Sequence, residues 1–123
     1  MKPDQIRRIA TVLFWIALVG ATTLAIMPQP PYLPTDEFGD KFNHMLAFAT
    51  LAGLAAVAFP TTPRHRVIER LSFLGAMIEV VQSIPALHRD CDIRDWIVDT
   101  FAIVVVTGIA ALIAATKRPI SGG

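Results

Sequence analysis

The sequence predicts an all-α integral membrane protein, a bundle of about four transmembrane helices with both termini in the cytoplasm. Hydrophobic residues make up 54% of the 123 positions and charged residues only 17%, which is more apolar than an ordinary soluble domain. The apolar residues form four blocks of about 17 to 20, the length that crosses about 30 Å of hydrocarbon. Because the charges fall between these blocks, we expect residues 1–123 to form a single membrane domain.

The first helix is predicted at about 9–27. Basic residues precede this apolar run, and a proline-rich stretch beginning at Pro28 ends it. A secretory signal peptide has a similar pattern of basic residues before an apolar run. The length of the run and the lack of a clear A-x-A cleavage site favour a spanning helix.

The other three helices are predicted at about 42–59, 67–84 and 96–115. The second contains small residues at four-residue spacing, such as Ala52 and Ala56, which allow close helix packing in lipid. Pro60 and Pro85 end the second and third helices, and basic residues followed by Pro119 end the fourth. Internal repeats are not evident.

The distribution of Lys and Arg predicts the orientation. The first and third connections hold three: Lys41, Arg89 and Arg94. The termini and the second connection hold eight: Lys2, Arg7, Arg8, Arg64, Arg66, Arg70, Lys117 and Arg118. Both termini are therefore predicted to be cytoplasmic. The net charge of +1 gives no field strong enough to argue for nucleic acid, and no nucleic-acid partner is predicted. The single cysteine, Cys91, excludes an intrachain disulfide.

Polar residues approach the membrane from three helices, all on the predicted outer side. They follow three- and four-residue steps, so each group shares one helical face. A carboxylate facing lipid is costly, and such groups usually face a bundle interior or a watery cavity. On the third helix, Ser72 and Gly75 share one face with Glu79 and Gln82, and this stripe should face the other helices. The candidate site residues are Asp40, Lys41, His44, Glu79, Gln82, Arg89, Asp92, Asp95 and Asp99.

These residues resemble the VanZ-like family of small membrane proteins over about residues 39–108. The family's D-K-x-x-H segment is similar to Asp40, Lys41 and His44, and its E-x-x-Q segment to Glu79 and Gln82. Its R-x6-D-x3-N segment is matched in approximate spacing by Arg89 and Asp95. Departures are Asp99, where the family usually has Asn, and Ala102 and Val106, where it often has glycine.

The resemblance implies a multi-pass protein of the bacterial cytoplasmic membrane, linked to the cell envelope and to glycopeptide-antibiotic resistance. The family supplies no established biochemical activity, so whether the chain is an enzyme stays open. Asp99 introduces an additional acid that could change the charge or the ligand preference of the site.

The residue types allow two kinds of ligand. Lys41 and Arg89 could hold phosphate, or could simply anchor the helices at the interface. His44 with Glu79, Asp95 and Asp99 could instead form a mixed nitrogen and oxygen site for a divalent cation. These residue types favour no particular cofactor, and a divalent cation is one alternative.

The first functional hypothesis is an outward-facing polar pocket that binds a lipid head group or a lipid-linked cell-envelope precursor. The alternatives are a structural or regulatory membrane subunit, whose polar cluster locks helix packing or recruits a partner, and a small proton-coupled transporter. The transporter ranks lower because inverted repeats and broken helices are not evident. A homo-oligomer could supply the missing half of such a transporter.

Overall fold

The computed structural model describes residues 1–28, 39–85 and 92–117. Within these ranges the chain forms four helices and no strand: α1 (Pro3–Ile26), α2 (Asp40–Ala58), α3 (Arg64–Gln82) and α4 (Ile93–Lys117). The all-α prediction is therefore confirmed for this part of the chain. Two of the helices, α1 and α4, are long and apolar enough to cross a membrane, whereas the apolar stretch of α2 is shorter, Phe42–Ala58.

Every helix begins before the apolar block that predicted it. Pro3 occupies the first helical position of α1, where its missing N–H costs nothing, and the Lys2 N–H donates to Gln5 Oε1 at 3.0 Å. Gly39 precedes α2 with a φ of 92°, a conformation that favours glycine. The predicted starts were late because apolar runs mark the buried length of a helix and not its polar first turns.

The core of the bundle lies where α2 meets its neighbours. α2 packs extensively against α1 and α4, and α3 packs mainly against α4. Leu51 and Ile103, from α2 and α4, are fully buried. The core cluster consists of Phe14, Phe48, Leu51, Ala52, Ala55, Leu71, Ile78 and Ile103.

The surface of the bundle is apolar, and several polar side chains lie inside it. Phe73, Phe101 and Leu112 are 65%, 67% and 69% exposed. Only 11% of the apolar stretch of α1 and 22% of that of α4 are buried, whereas the core helix of a soluble protein is mostly buried. This distribution supports a membrane location for α1 and α4, since lipid can cover exposed apolar side chains that water would disfavour.

The helix ends form two chemically different ends of the bundle. Residues 59–63 connect α2 to α3, so these two helices run in opposite directions. Gln82, at the end of α3, donates from Nε2 to Ala25 O near the end of α1, at 2.8 Å. The ends of α1 and α3 therefore lie beside the starts of α2 and α4, and this is the end that carries most of the predicted site residues.

Candidate functional site

Five of the nine predicted site residues have buried side chains. His44, Glu79, Gln82, Asp95 and Asp99 are between 0% and 7% exposed. Asp92 is half-buried just before α4. Arg89 lies outside the described residues, as do the side chains of Asp40 and Lys41.

Three helices bring four of these side chains together. His44 lies in the second turn of α2, Glu79 in the last turn of α3, and Asp95 in the first turn of α4. One ligand atom from each of these three residues lies within 4.8 Å of the other two. Asp99 lies one turn after Asp95 on α4 and approaches His44. We call His44, Glu79, Asp95 and Asp99 the polar cluster.

The carboxylate of Asp99 lies close to the imidazole of His44. His44 Nδ1 lies 3.5 Å from Asp99 Oδ2, and both side chains are almost completely buried. A carboxylate beside Nδ1 favours the tautomer that carries its proton there. Asp99 therefore lies where it can influence the tautomer of His44.

Glu79 also connects α3 to the start of α4. The Asp92 N–H donates to Glu79 Oε2 at 3.1 Å. Asp92 Oδ1 in turn accepts from the Arg94 N–H at 2.9 Å, and Asp92 O accepts from the Asp95 N–H at 2.9 Å. Asp92 therefore acts as the N-terminal cap of α4, a role that accounts for its position without a ligand.

Gln82 extends the polar region toward α1. Its Nε2 donates to Ala25 O, while its Oε1 is buried and accepts no hydrogen bond within the described ranges. Gln82 lies three residues after Glu79, so the two side chains share a face of α3. Buried polar atoms are normally hydrogen-bonded, so Gln82 Oε1 is an acceptor to which a ligand or an ordered water could donate.

The stripe predicted on α3 does face the other helices. Ser72 Oγ lies 2.8 Å from Thr100 Oγ1, and Ser72 O accepts from Trp96 Nε1 at 2.9 Å. A Cβ added at Gly75 would lie 3.4 Å from Trp96 and 3.5 Å from Asp99 and Phe48. These contacts hold α3 against α4 in the two turns of α3 that precede Glu79.

Trp96 and Thr100 were not among the candidate site residues. The sequence pattern gave neither residue a role in the site. Their spacing of four residues puts them on one face of α4 and is the only sequence signal that could have paired them with α3. It does not identify which neighbouring helix they contact.

The composition of the polar cluster determines what it can bind. Imidazole nitrogen and carboxylate oxygen are donors to a metal ion, and both can accept or release protons. Three carboxylates make the described cluster acidic, so it favours cations or hydrogen-bond donors over a bare anion. Any anionic ligand would need positive charge in addition to these four side chains.

Comparisons with protein-family models, with curated proteins and with solved structures find no match for this chain. The resemblance to the VanZ-like family therefore stays a prediction based on the sequence segments that contain Asp40, Glu79 and Asp95. Of those segments, the structure describes the positions of His44, Glu79, Gln82 and Asp95, which lie at one end of the bundle.

Proposed function

We propose that this chain is a four-span protein of the bacterial cytoplasmic membrane, with the polar cluster on the outer side and both termini in the cytoplasm. The two further spans in this proposal are α2 and α3. Each has 19 residues, which make about 28 Å of helix, close to the hydrocarbon thickness. Arg64, Arg66 and Arg70 lie in the first two turns of α3. In this topology they would reach the cytoplasmic head groups.

The function that we propose is binding of the polar head group of an amphiphile, either a membrane lipid or a lipid-linked cell-envelope precursor. The observation that carries this proposal is the burial of His44, Glu79, Asp95 and Asp99 at one end of a bundle with an apolar surface. An amphiphile matches this arrangement, because its chains can lie against exposed side chains such as Phe73 while its head group reaches the cluster.

The biological role follows from the VanZ-like resemblance and is part of the same proposal. A protein that binds lipid-linked precursors at the outer surface could alter the response of the envelope to glycopeptide antibiotics. Binding alone would be sufficient for this role, so the proposal assigns no catalysed reaction.

Thermal unfolding in mild detergent tests head-group binding. We expect phosphatidylglycerol, polyprenyl phosphate or polyprenyl diphosphate to raise the melting temperature of the native chain. A ligand at about 100 times its Kd stabilises the folded state by about 2.7 kcal/mol. The variant Glu79→Gln with Asp95→Asn keeps the side-chain shapes but removes two carboxylates that can accept hydrogen bonds from head-group hydroxyls, so it should lose the rise that phosphatidylglycerol causes.

A matched control replaces two exposed acids, Asp4→Asn with Glu69→Gln, and should retain the native response. Phosphatidylcholine, which carries no net charge, tests whether detergent replacement alone raises the melting temperature. If none of the anionic amphiphiles stabilises the native chain more than phosphatidylcholine does, head-group binding is wrong.

The second candidate function is structural, as a membrane subunit whose polar residues hold the helices together. Specific interhelical hydrogen bonds favour it: Gln82 to Ala25, Trp96 to Ser72, and Ser72 with Thr100. Such bonds between membrane helices contribute about 0.6 kcal/mol on average and reach about 1.7 kcal/mol. They are therefore sufficient to align helices without any ligand.

The same unfolding experiment separates the two functions. A structural cluster predicts that Glu79→Gln with Asp95→Asn melts at a lower temperature than the native chain, with no ligand response in either protein. A binding cluster predicts that the difference between the two proteins grows as the amphiphile is added.

A further inference from the structure

We infer that His44, Glu79 and Asp95 form a binding site for a divalent transition-metal ion. Each residue comes from a different helix, and each offers one ligand atom within 4.8 Å of the other two. Their side chains are 7%, 4% and 3% exposed, so the ligand atoms meet inside the protein.

The spacing of these atoms is close to that of a metal-bound set. Nitrogen and carboxylate oxygen lie about 2.0–2.2 Å from a bound Zn²⁺, so in a tetrahedral site they lie about 3.3–3.6 Å from one another. Because the three atoms already lie within 4.8 Å of one another, side-chain rotations that close each separation by at most about 1.5 Å would bring them to these distances. The helices already hold the three residues together, so metal binding would need no rearrangement of the backbone.

Two further observations, on Asp99 and on Gln82, support a metal ion at this position. Asp99 Oδ2 lies 3.5 Å from His44 Nδ1, the place of a carboxylate that orients a metal-binding imidazole. The buried Gln82 Oε1, one turn from Glu79, accepts no hydrogen bond within the described part of α1 to α4. A water on the ion could donate to this oxygen, since a site with three protein ligands leaves a position for water.

The ligand set determines the class of ion. One imidazole and two carboxylates suit Zn²⁺ and Mn²⁺, whereas Mg²⁺ and Ca²⁺ prefer oxygen ligands alone. A dication would also offset the negative charge of buried carboxylates, which is costly without an opposite charge nearby. Binding of Zn²⁺ or Mn²⁺ at one ion per chain is therefore expected.

The ion would also explain how an acidic cluster can meet a phosphate. A cation that is held by protein carboxylates and retains an open position can bind a phosphate oxygen of a head group. This step rests on the proposed function, whereas the metal site itself stands on the positions of His44, Glu79 and Asp95.

Mn²⁺ titration of the detergent-purified full chain, followed by electron paramagnetic resonance, tests the site directly. After removal of metals with a chelator, the native chain should bind one Mn²⁺ with loss of the free-ion signal. Electron spin-echo modulation should detect an imidazole nitrogen on the bound ion. Glu79→Gln and Asp95→Asn should each weaken binding at least tenfold, and His44→Gln should remove the nitrogen modulation.

Matched control variants replace exposed residues of the same types on α3. Glu69→Gln and His65→Gln should bind Mn²⁺ as the native chain does. Circular dichroism and gel filtration show whether each variant keeps its helices and its size. If Glu79→Gln does not fold, the nitrogen modulation in the native chain and its loss in His44→Gln still decide the question.

The metal site would be overturned if the native chain bound no more Mn²⁺ or Zn²⁺ than a chain in which His44, Glu79 and Asp95 are all replaced. Nitrogen modulation that survives in His44→Gln would also overturn it. Amphiphile binding is measured separately, with and without metal. Metal binding without any amphiphile response would refute only the proposed function, and an amphiphile response without metal binding would refute only the metal site.

Discussion

Asp99 is a buried acid of the polar cluster, and it is one of the positions at which the chain departs from the predicted VanZ-like resemblance. Its side chain is fully buried, and Oδ2 lies 3.5 Å from His44 Nδ1. An asparagine at this position could still accept a hydrogen bond through its oxygen but would carry no charge. The carboxylate therefore places a negative charge beside His44 and adds to the charge of the whole cluster.

Asp99→Asn should weaken Zn²⁺ or Mn²⁺ binding by about 10- to 100-fold, the usual effect of removing a carboxylate behind a metal-binding imidazole. Helicity should stay unchanged because the two side chains have nearly the same shape. Isothermal titration with Zn²⁺ measures the affinity, with the exposed Asp4→Asn as the control. An affinity equal to that of the native chain would show that Asp99 does not act through His44.

At the scale of the helices, α3 carries both Gly75, which permits close packing against α4, and Glu79, its one acid in the polar cluster. Gly75 lies one turn before Glu79, and a Cβ there would make ordinary van der Waals contacts with Trp96, Asp99 and Phe48. The position therefore has space for one methyl group but not for a longer side chain.

Gly75→Ala should be tolerated and could stabilise α3 by up to about 1 kcal/mol, since alanine favours a helix over glycine. Gly75→Leu should push α3 away from α4 and lower the free energy of unfolding by about 1–3 kcal/mol. Unfolding in detergent measures both effects.

Gly108 on α4 provides the matched control, because an added Cβ there meets nothing within 4 Å. Gly108→Leu should therefore cost no stability and could add up to about 1 kcal/mol, since leucine also favours a helix over glycine. If Gly75→Leu is as stable as the native chain, close packing of α3 does not depend on this glycine.

For the whole molecule, the chemical difference between its two ends predicts how it sits in a membrane. One end holds the polar cluster, and the other holds the start of α1, the turn between α2 and α3, and the end of α4. Basic residues at that second end include Arg7, Arg64 and Lys117. Positive charge of this kind favours the cytoplasmic side.

Labelling with a membrane-impermeant maleimide tests this orientation in intact cells. The native Cys91 lies in the connection predicted to be outside, so it should be labelled from the medium. In a Cys91→Ser chain, Arg64→Cys should be labelled only after the membrane is permeabilised. Labelling of position 64 in intact cells would reverse the proposed topology.

The sequence by itself determined that the chain is helical, where three of its helices lie to within three residues and α1 to within six, and which polar residues lie at the same end. These are local properties: apolar run length, proline positions and three- and four-residue spacing can be read without knowing which helices touch. The burial of His44, Glu79 and Asp99 was expected on the same grounds.

Only the tertiary structure decided which atoms meet. Spacing places Glu79 on one face of α3, but it does not indicate that this face meets His44 and Asp95 or that Gln82 reaches Ala25. These contacts depend on the rotation of each helix and on its neighbour, which close packing at positions such as Gly75 determines. Because residues far apart in the chain form the cluster, helical periodicity alone could not predict its geometry.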